Sequence, residues 1–104
     1  MAATFTRVKS LKTIRGIKRT IVDLNPGDGY VQLTGIDVSI AALKSVTGLS
    51  GAISLVSPTP IVDPAVSAWW EAATDTLFLT DGAGVELVDG DYDGNTIRLF
   101  IVGS

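Results

Sequence analysis

Short runs rich in Thr, Val, Ile and aromatic residues, five to eight long and each stopped by Gly, Asp, Asn or Pro, recur along the whole chain. β-Branched and aromatic side chains suit a pleated, half-buried surface, and the stopping residues supply the backbone angles of turns. This alternation predicts a mainly β protein. It would be a β-sandwich or jelly-roll-like barrel of about seven to eight short antiparallel strands, with one short helix over about residues 38–47. A length of 104 residues fits one domain, 1–104, around one core.

Residues 5–9 and 18–24 read as the first two strands. The second places Thr20, Val22 and Leu24 on one face and Arg19, Ile21 and Asp23 on the other. Residues 25–29, Asn-Pro-Gly-Asp-Gly, form a turn, and 30–34 a short strand. Asp37 or Ser39 can cap a helix in which Ile40, Leu43 and Val46 share a stripe and Gly48 ends the last turn. Strand returns over 51–57, and Pro58, Pro60 and Pro64 predict a loop or irregular edge after it. Two hairpins are expected beyond, pairing 65–72 with 76–80 and 85–89 with 96–102. In the last of these strands Ile97, Leu99 and Ile101 alternate with Arg98, Phe100 and Val102. Both faces are largely apolar, as in a strand covered on both sides or pressed against another subunit.

Charge is segregated along the chain. Arg7, Lys9, Lys12, Arg15, Lys18 and Arg19 all precede the first acidic residue, Asp23, so residues 1–22 carry +6. The remainder holds two basic and all eleven acidic side chains, a net −9. An acidic body with one basic edge predicts a protein that docks an oriented face on a partner. The competing reading is a solvated strand whose charges keep an edge from aggregating. Val8, Leu11, Ile14, Ile17 and Ile21 are spaced as an amphipathic basic helix would need. Gly16 and the β-branched residues oppose that helix, and two strands joined near Arg15-Gly16 fit better, with 1–16 an extended basic arm or edge strand. The acidic remainder and the lack of interleaved aromatics argue against nucleic acid. No apolar run has a membrane helix's length, and the opening MAATFTRVKS lacks the apolar core of a secretory signal.

The chain has neither histidine nor cysteine, which removes Ser–His–Asp, Cys–His and His-based zinc chemistry. No enzyme activity and no cofactor are expected. The Gly-rich stretches match neither a P-loop nor a dinucleotide fingerprint and read as turns. Asp89, Asp91 and Asp93 match the opening of a calcium loop, but its twelfth position would be Phe100 rather than a bidentate Glu. An acidic hairpin turn competes with a calcium site there. Trp69 and Trp70 are strand neighbours, so one enters the core and the other needs separate cover. Apolar residues make up 46% and charged residues 18%, an excess that predicts apolar surface and self-association.

The segment 6–24, with its basic strand, Arg-Gly-Ile turn and Val-rich second strand, resembles the opening of small tailed-bacteriophage structural proteins. The likeness continues through a short Leu-containing helix at 40–46, an aromatic strand near Trp69-Trp70 and a β-branched final strand at 96–103. The polar turn 25–29 is shorter than the Gly-rich loop of that pattern. The resemblance implies a capsid decoration, or cement, protein: a β-sandwich or jelly-roll-like trimer on the outer surface of the phage head, bridging neighbouring subunits of the major capsid protein lattice. On that view the basic strand, Arg7 to Arg19, contacts the lattice. One of Trp69 and Trp70, with Phe100 and Val102, fills subunit–subunit contacts. The alternatives are a neck, tail or baseplate component, or a calcium- or carbohydrate-binding β module.

Overall fold

The basic stretch folds as a hairpin. Strand β1 (Thr4–Ile14) runs antiparallel to β2 (Ile17–Asn25). Arg15 and Gly16 make the turn with φ of 51° and 78°. Positive φ at both central residues matches the right-handed twist of the flanking strands, and glycine meets that demand without a Cβ penalty. The computed structural model describes residues 3–104, with the side chains of Lys12 and Ile14 outside that description.

Among the described residues there follow β3 (Ile36–Asp37), α1 (Ile40–Thr47), β4 (Ile53–Pro60), β5 (Ser67–Glu71), β6 (Thr76–Thr80) and β7 (Ile97–Gly103). The seven strands make two antiparallel sheets, ordered β1-β2-β7-β4 and β3-β6-β5. The mainly β fold with one short helix is thus as expected. The inner face of the larger sheet presents Val22, Leu24, Val56, Ile97, Leu99 and Ile101. They share one core with Leu77 and Leu79 of β6, Leu43 of α1, and Ile36, Val38 and Leu49. Burying each Leu or Ile contributes roughly 1.5–3 kcal/mol relative to exposure.

The helix begins and ends where its caps dictate. Ser39 Oγ accepts a hydrogen bond from the Ala42 N–H at 3.4 Å, and Gly48, at φ 69°, donates its N–H to the Lys44 carbonyl.

Three expected elements differ. Residues 30–34 are not a strand: the N–H groups of Thr34 and Gly35 both donate to the Val31 carbonyl, closing a turn with Leu33 at φ 70°. Tyr30 alone bridges to Gly90. Residues 85–89 do not pair with the last strand, because β2 and β4 already occupy both edges of β7. They lie beside β6 instead, through a Thr80–Glu86 bridge and a Leu87 N–H bond to the Leu79 carbonyl. Strand β4 runs on through Pro58 and Pro60 because it is an edge strand, where a missing N–H breaks no ladder.

Gly103, buried at the end of β7, has no room for a side chain. A Cβ there would strike the Ala52 carbonyl oxygen and lie 2.8 Å from Leu49 Cδ1. Gly103→Ala is expected to cost about 1–3 kcal/mol through overpacking, measured as a lower urea midpoint with unchanged slope.

Candidate interaction surfaces

Strand register distributes the candidate residues over two outward faces on opposite sides of the sandwich. On the larger sheet, successive cross-strand rows place Leu11, Arg19, Val102 and Leu55 together, then Lys9, Ile21, Phe100 and Ser57, then Thr6, Asp23, Arg98 and Thr59. Directly opposed side chains on one face lie about 4.5–5.5 Å apart at Cβ. The centre of this face is therefore apolar, built from Leu11, Ile21, Leu55, Phe100 and Val102. Among the described residues no strand or helix of the chain covers it. Leu55 is 43% exposed and Ile61 at the margin 46%. Arg98 forms a two-point ion pair with Asp23, Nε to Oδ1 at 2.9 Å and Nη2 to Oδ2 at 3.1 Å. That hydrogen-bonded carboxylate raises the guanidinium pKa.

The six basic residues do not form one patch. Lys9 and Arg19 belong to the outer face. Arg15 is exposed at the hairpin tip. Lys18 Nζ donates to the Gly48 carbonyl at 3.2 Å, so it serves the C-terminal end of α1. Arg7 reaches Ser10 Oγ at 3.2 Å, next to a β1 bulge. Lys12 has its side chain outside the described residues.

The four candidate interface residues also separate. Phe100 and Val102 lie on the larger sheet's outer face. Trp70 turns inward and packs on the core, its Nε1 buried with no hydrogen-bond partner among the described residues. Trp69 points outward from the smaller sheet, 56% exposed, and stacks on Phe78 with ring centroids 6.1 Å apart. The alternation expected of the Trp pair therefore holds, and Trp69 and Phe100 lie on different sheets of the same protomer.

Trp69 and Phe78 floor a cleft of about 310 Å³, walled by Leu33, Glu71, Thr80, Gly84 and Glu86. Leu33 is 82% exposed. Glu86 is held from two sides: the Tyr30 hydroxyl donates to Oε2 at 2.6 Å and the Leu33 N–H donates to the same oxygen at 2.8 Å. The Tyr30 oxygen also accepts the Leu79 N–H at 3.0 Å, joining the cleft wall to the core. Counting back from the 73–75 turn pairs Trp69 with Phe78, so the aromatic floor was readable in principle. Glu86, Tyr30 and Leu33 carried no such signal.

The acidic loop has its carboxylates engaged separately. Asp89 Oδ1 accepts the Gln32 N–H at 2.6 Å, Asp91 Oδ1 the Asp93 N–H at 2.9 Å, and Asp93 Oδ1 the Asn25 side-chain amide at 2.9 Å. Asn25 Oδ1 in turn accepts the N–H groups of Gly27 and Gly94. Tyr92 donates from its backbone to the Gly27 carbonyl and packs edge-on to Tyr30 at 5.8 Å. This network ties two loops together. Among the described residues no three carboxylates converge as metal ligands. Adding calcium is accordingly expected to leave the melting temperature where EDTA leaves it, whereas a tight site would raise it.

Burial, and then the bond to Glu86, raise the Tyr30 pKa above its ordinary value. The unfolded chain ionises this phenol near pH 10 and the folded chain does so higher. The contribution of Tyr30 to stability is thus complete below about pH 10 and falls as pH rises beyond it. Tyr30→Phe should cost about 1–3 kcal/mol at neutral pH, by orphaning the Leu79 N–H, and should flatten the alkaline loss of stability measured by urea titration. Compared with known proteins, the chain matches no family model, and no curated protein or solved structure matches it.

Proposed function

We propose that this chain is a non-enzymatic assembly protein, and specifically a capsid decoration protein. It would oligomerise as a trimer on the outer surface of a phage head and stabilise the head by bridging neighbouring capsid subunits. The single observation that carries the assembly reading is the open face of β1, β2, β7 and β4. Leu11, Ile21, Leu55, Phe100 and Val102 form an apolar centre there, beside Lys9 and Arg19. An uncovered apolar centre with a polar, charged rim is the anatomy of a protein–protein contact. The capsid as its partner rests on the resemblance of residues 6–24 and 96–103 to phage structural proteins.

The mechanism is mass action. A protein that binds only the assembled lattice stabilises that lattice by its binding free energy. Several copies joined in one oligomer multiply the effect through effective concentration, so each contact can be weak. A neck, tail or baseplate position would use the same face, but with few copies per particle.

The combined variant Lys9→Glu, Arg19→Glu and Phe100→Ser reverses the charge and opens the apolar centre without touching the inner core. It should reduce cosedimentation with phage heads on the order of tenfold or more. Undiminished occupancy of the heads by a folded variant would remove the outer face from the docking role.

A further inference from the structure

The cleft on the smaller sheet has a chemistry opposite to that of the basic hairpin. It pairs an aromatic floor, Trp69 stacked on Phe78, with carboxylates from Glu71 and Glu86 and an exposed Leu33 at the rim. Aromatic faces attract cations, guanidinium most readily, and carboxylates bind guanidinium through paired hydrogen bonds. Glu86 is already oriented by two donors. A carboxylate offers about four lone-pair sites, so two donors leave room for another. Leu33 sits in the left-handed region at φ 70°, a costly conformation for a bulky apolar side chain, while its N–H holds Glu86.

A cation of matching form exists in the same chain. Arg15 stands exposed at the tip of the β1–β2 hairpin, where φ of 51° and 78° at Arg15 and Gly16 make the tight turn. Half-exposed Ile17 follows it. The hairpin belongs to the larger sheet and the cleft opens outward from the smaller one, so an occupant from this sequence must come from another molecule. The +6 of residues 1–22 against the −9 of the remainder gives two copies a reason to meet in this orientation.

We propose that the Trp69–Phe78–Glu71–Glu86 cleft of one copy receives the β1–β2 hairpin tip of a second copy, with the Arg15 guanidinium over the aromatic floor and between the carboxylates. The contact is heterologous, each copy giving a tip and offering a cleft, so successive copies close into a ring when the rotation allows. This deepens the assembly reading by naming how copies meet. Its test needs no capsid.

The experiment measures molar mass of the full chain by light scattering behind a sizing column. Wild type should self-associate at about 50 mM salt and dissociate as salt rises to about 500 mM, since the contact is ionic at its centre. Arg15→Glu leaves a cleft without a tip, and Trp69→Ser with Glu71→Lys leaves a tip without a cleft. Each should weaken self-association on the order of a hundredfold and run as a 10.9 kDa monomer. Mixed in equal amounts they should form a species of twice that mass, because one intact tip and one intact cleft remain. Circular dichroism of each variant checks folding. Tryptophan emission in a Trp70→Phe background gives a second reading of Trp69, shifting to the red on dilution as the indole returns to water. A monomeric wild type, or variants that stay associated alone, or a mixture that stays monomeric while wild type associates, overturns the proposal. Loss of self-association with head binding intact would separate this contact from the docking face.

Discussion

The pairing of β7 on both edges decides the rest of the structure. β2 and β4 take its two hydrogen-bonding edges over almost its whole length. Its inner side chains, Ile97, Leu99 and Ile101, are then fixed at the centre of the core. The opposite side chains are fixed with equal strictness on the outside, because a strand's side chains alternate and a register slip would exchange the two sets. Phe100 and Val102 are outside for that reason, and three short strands and an eight-residue helix cover only the inner face. The apolar outer face follows from placing a doubly apolar strand in the middle of a sheet with one cover.

The second dependence runs through Tyr30. Its hydroxyl accepts from the Leu79 backbone and donates to Glu86, while its ring meets Tyr92 of the acidic loop. One side chain thus supports a core strand, a cleft wall and the 89–95 loop. Orientation of Glu86 is inseparable from core stability. A rigid carboxylate loses less entropy on meeting a cation than a mobile one would.

Features set by local chemistry were legible in the sequence. Ser39 and Gly48 bound the helix, Arg15-Gly16 makes a hairpin turn, and the alternation of Trp69 and Trp70 sends one indole inward. Features set by which edge is vacant were not. Residues 85–89 alternate like a strand, yet the partner they would need is occupied. Pro58 and Pro60 read as a break, yet on an edge they cost no ladder bond. The basic residues looked like one surface because they are close in sequence. Strand alternation, two β1 bulges and the hairpin turn scatter them over a face, a tip and a helix end. The cleft draws on three separate segments, so only tertiary structure could assemble it.

The sheet edges decide which kind of association this domain permits. An exposed edge invites unlimited strand addition, and a chain with this much apolar surface is vulnerable to it. On β4, Pro58 and Pro60 remove N–H groups that an incoming strand would need. On β1, register shifts between Arg7 and Lys9 and between Leu11 and Ile14 break the ladder's regularity, with lysine at position 9 beside the first. Edge pairing is thereby blunted at both ends of the larger sheet. On that sheet side-chain recognition through its basic apolar face is favoured over strand addition, and the smaller sheet offers an acidic aromatic cleft. A heterologous side-chain contact ends where its rotation closes a ring, whereas strand addition to an open edge has no such closure. For a protein proposed to join a finite assembly, blunted edges on the larger sheet beside its open face form a consistent physical arrangement.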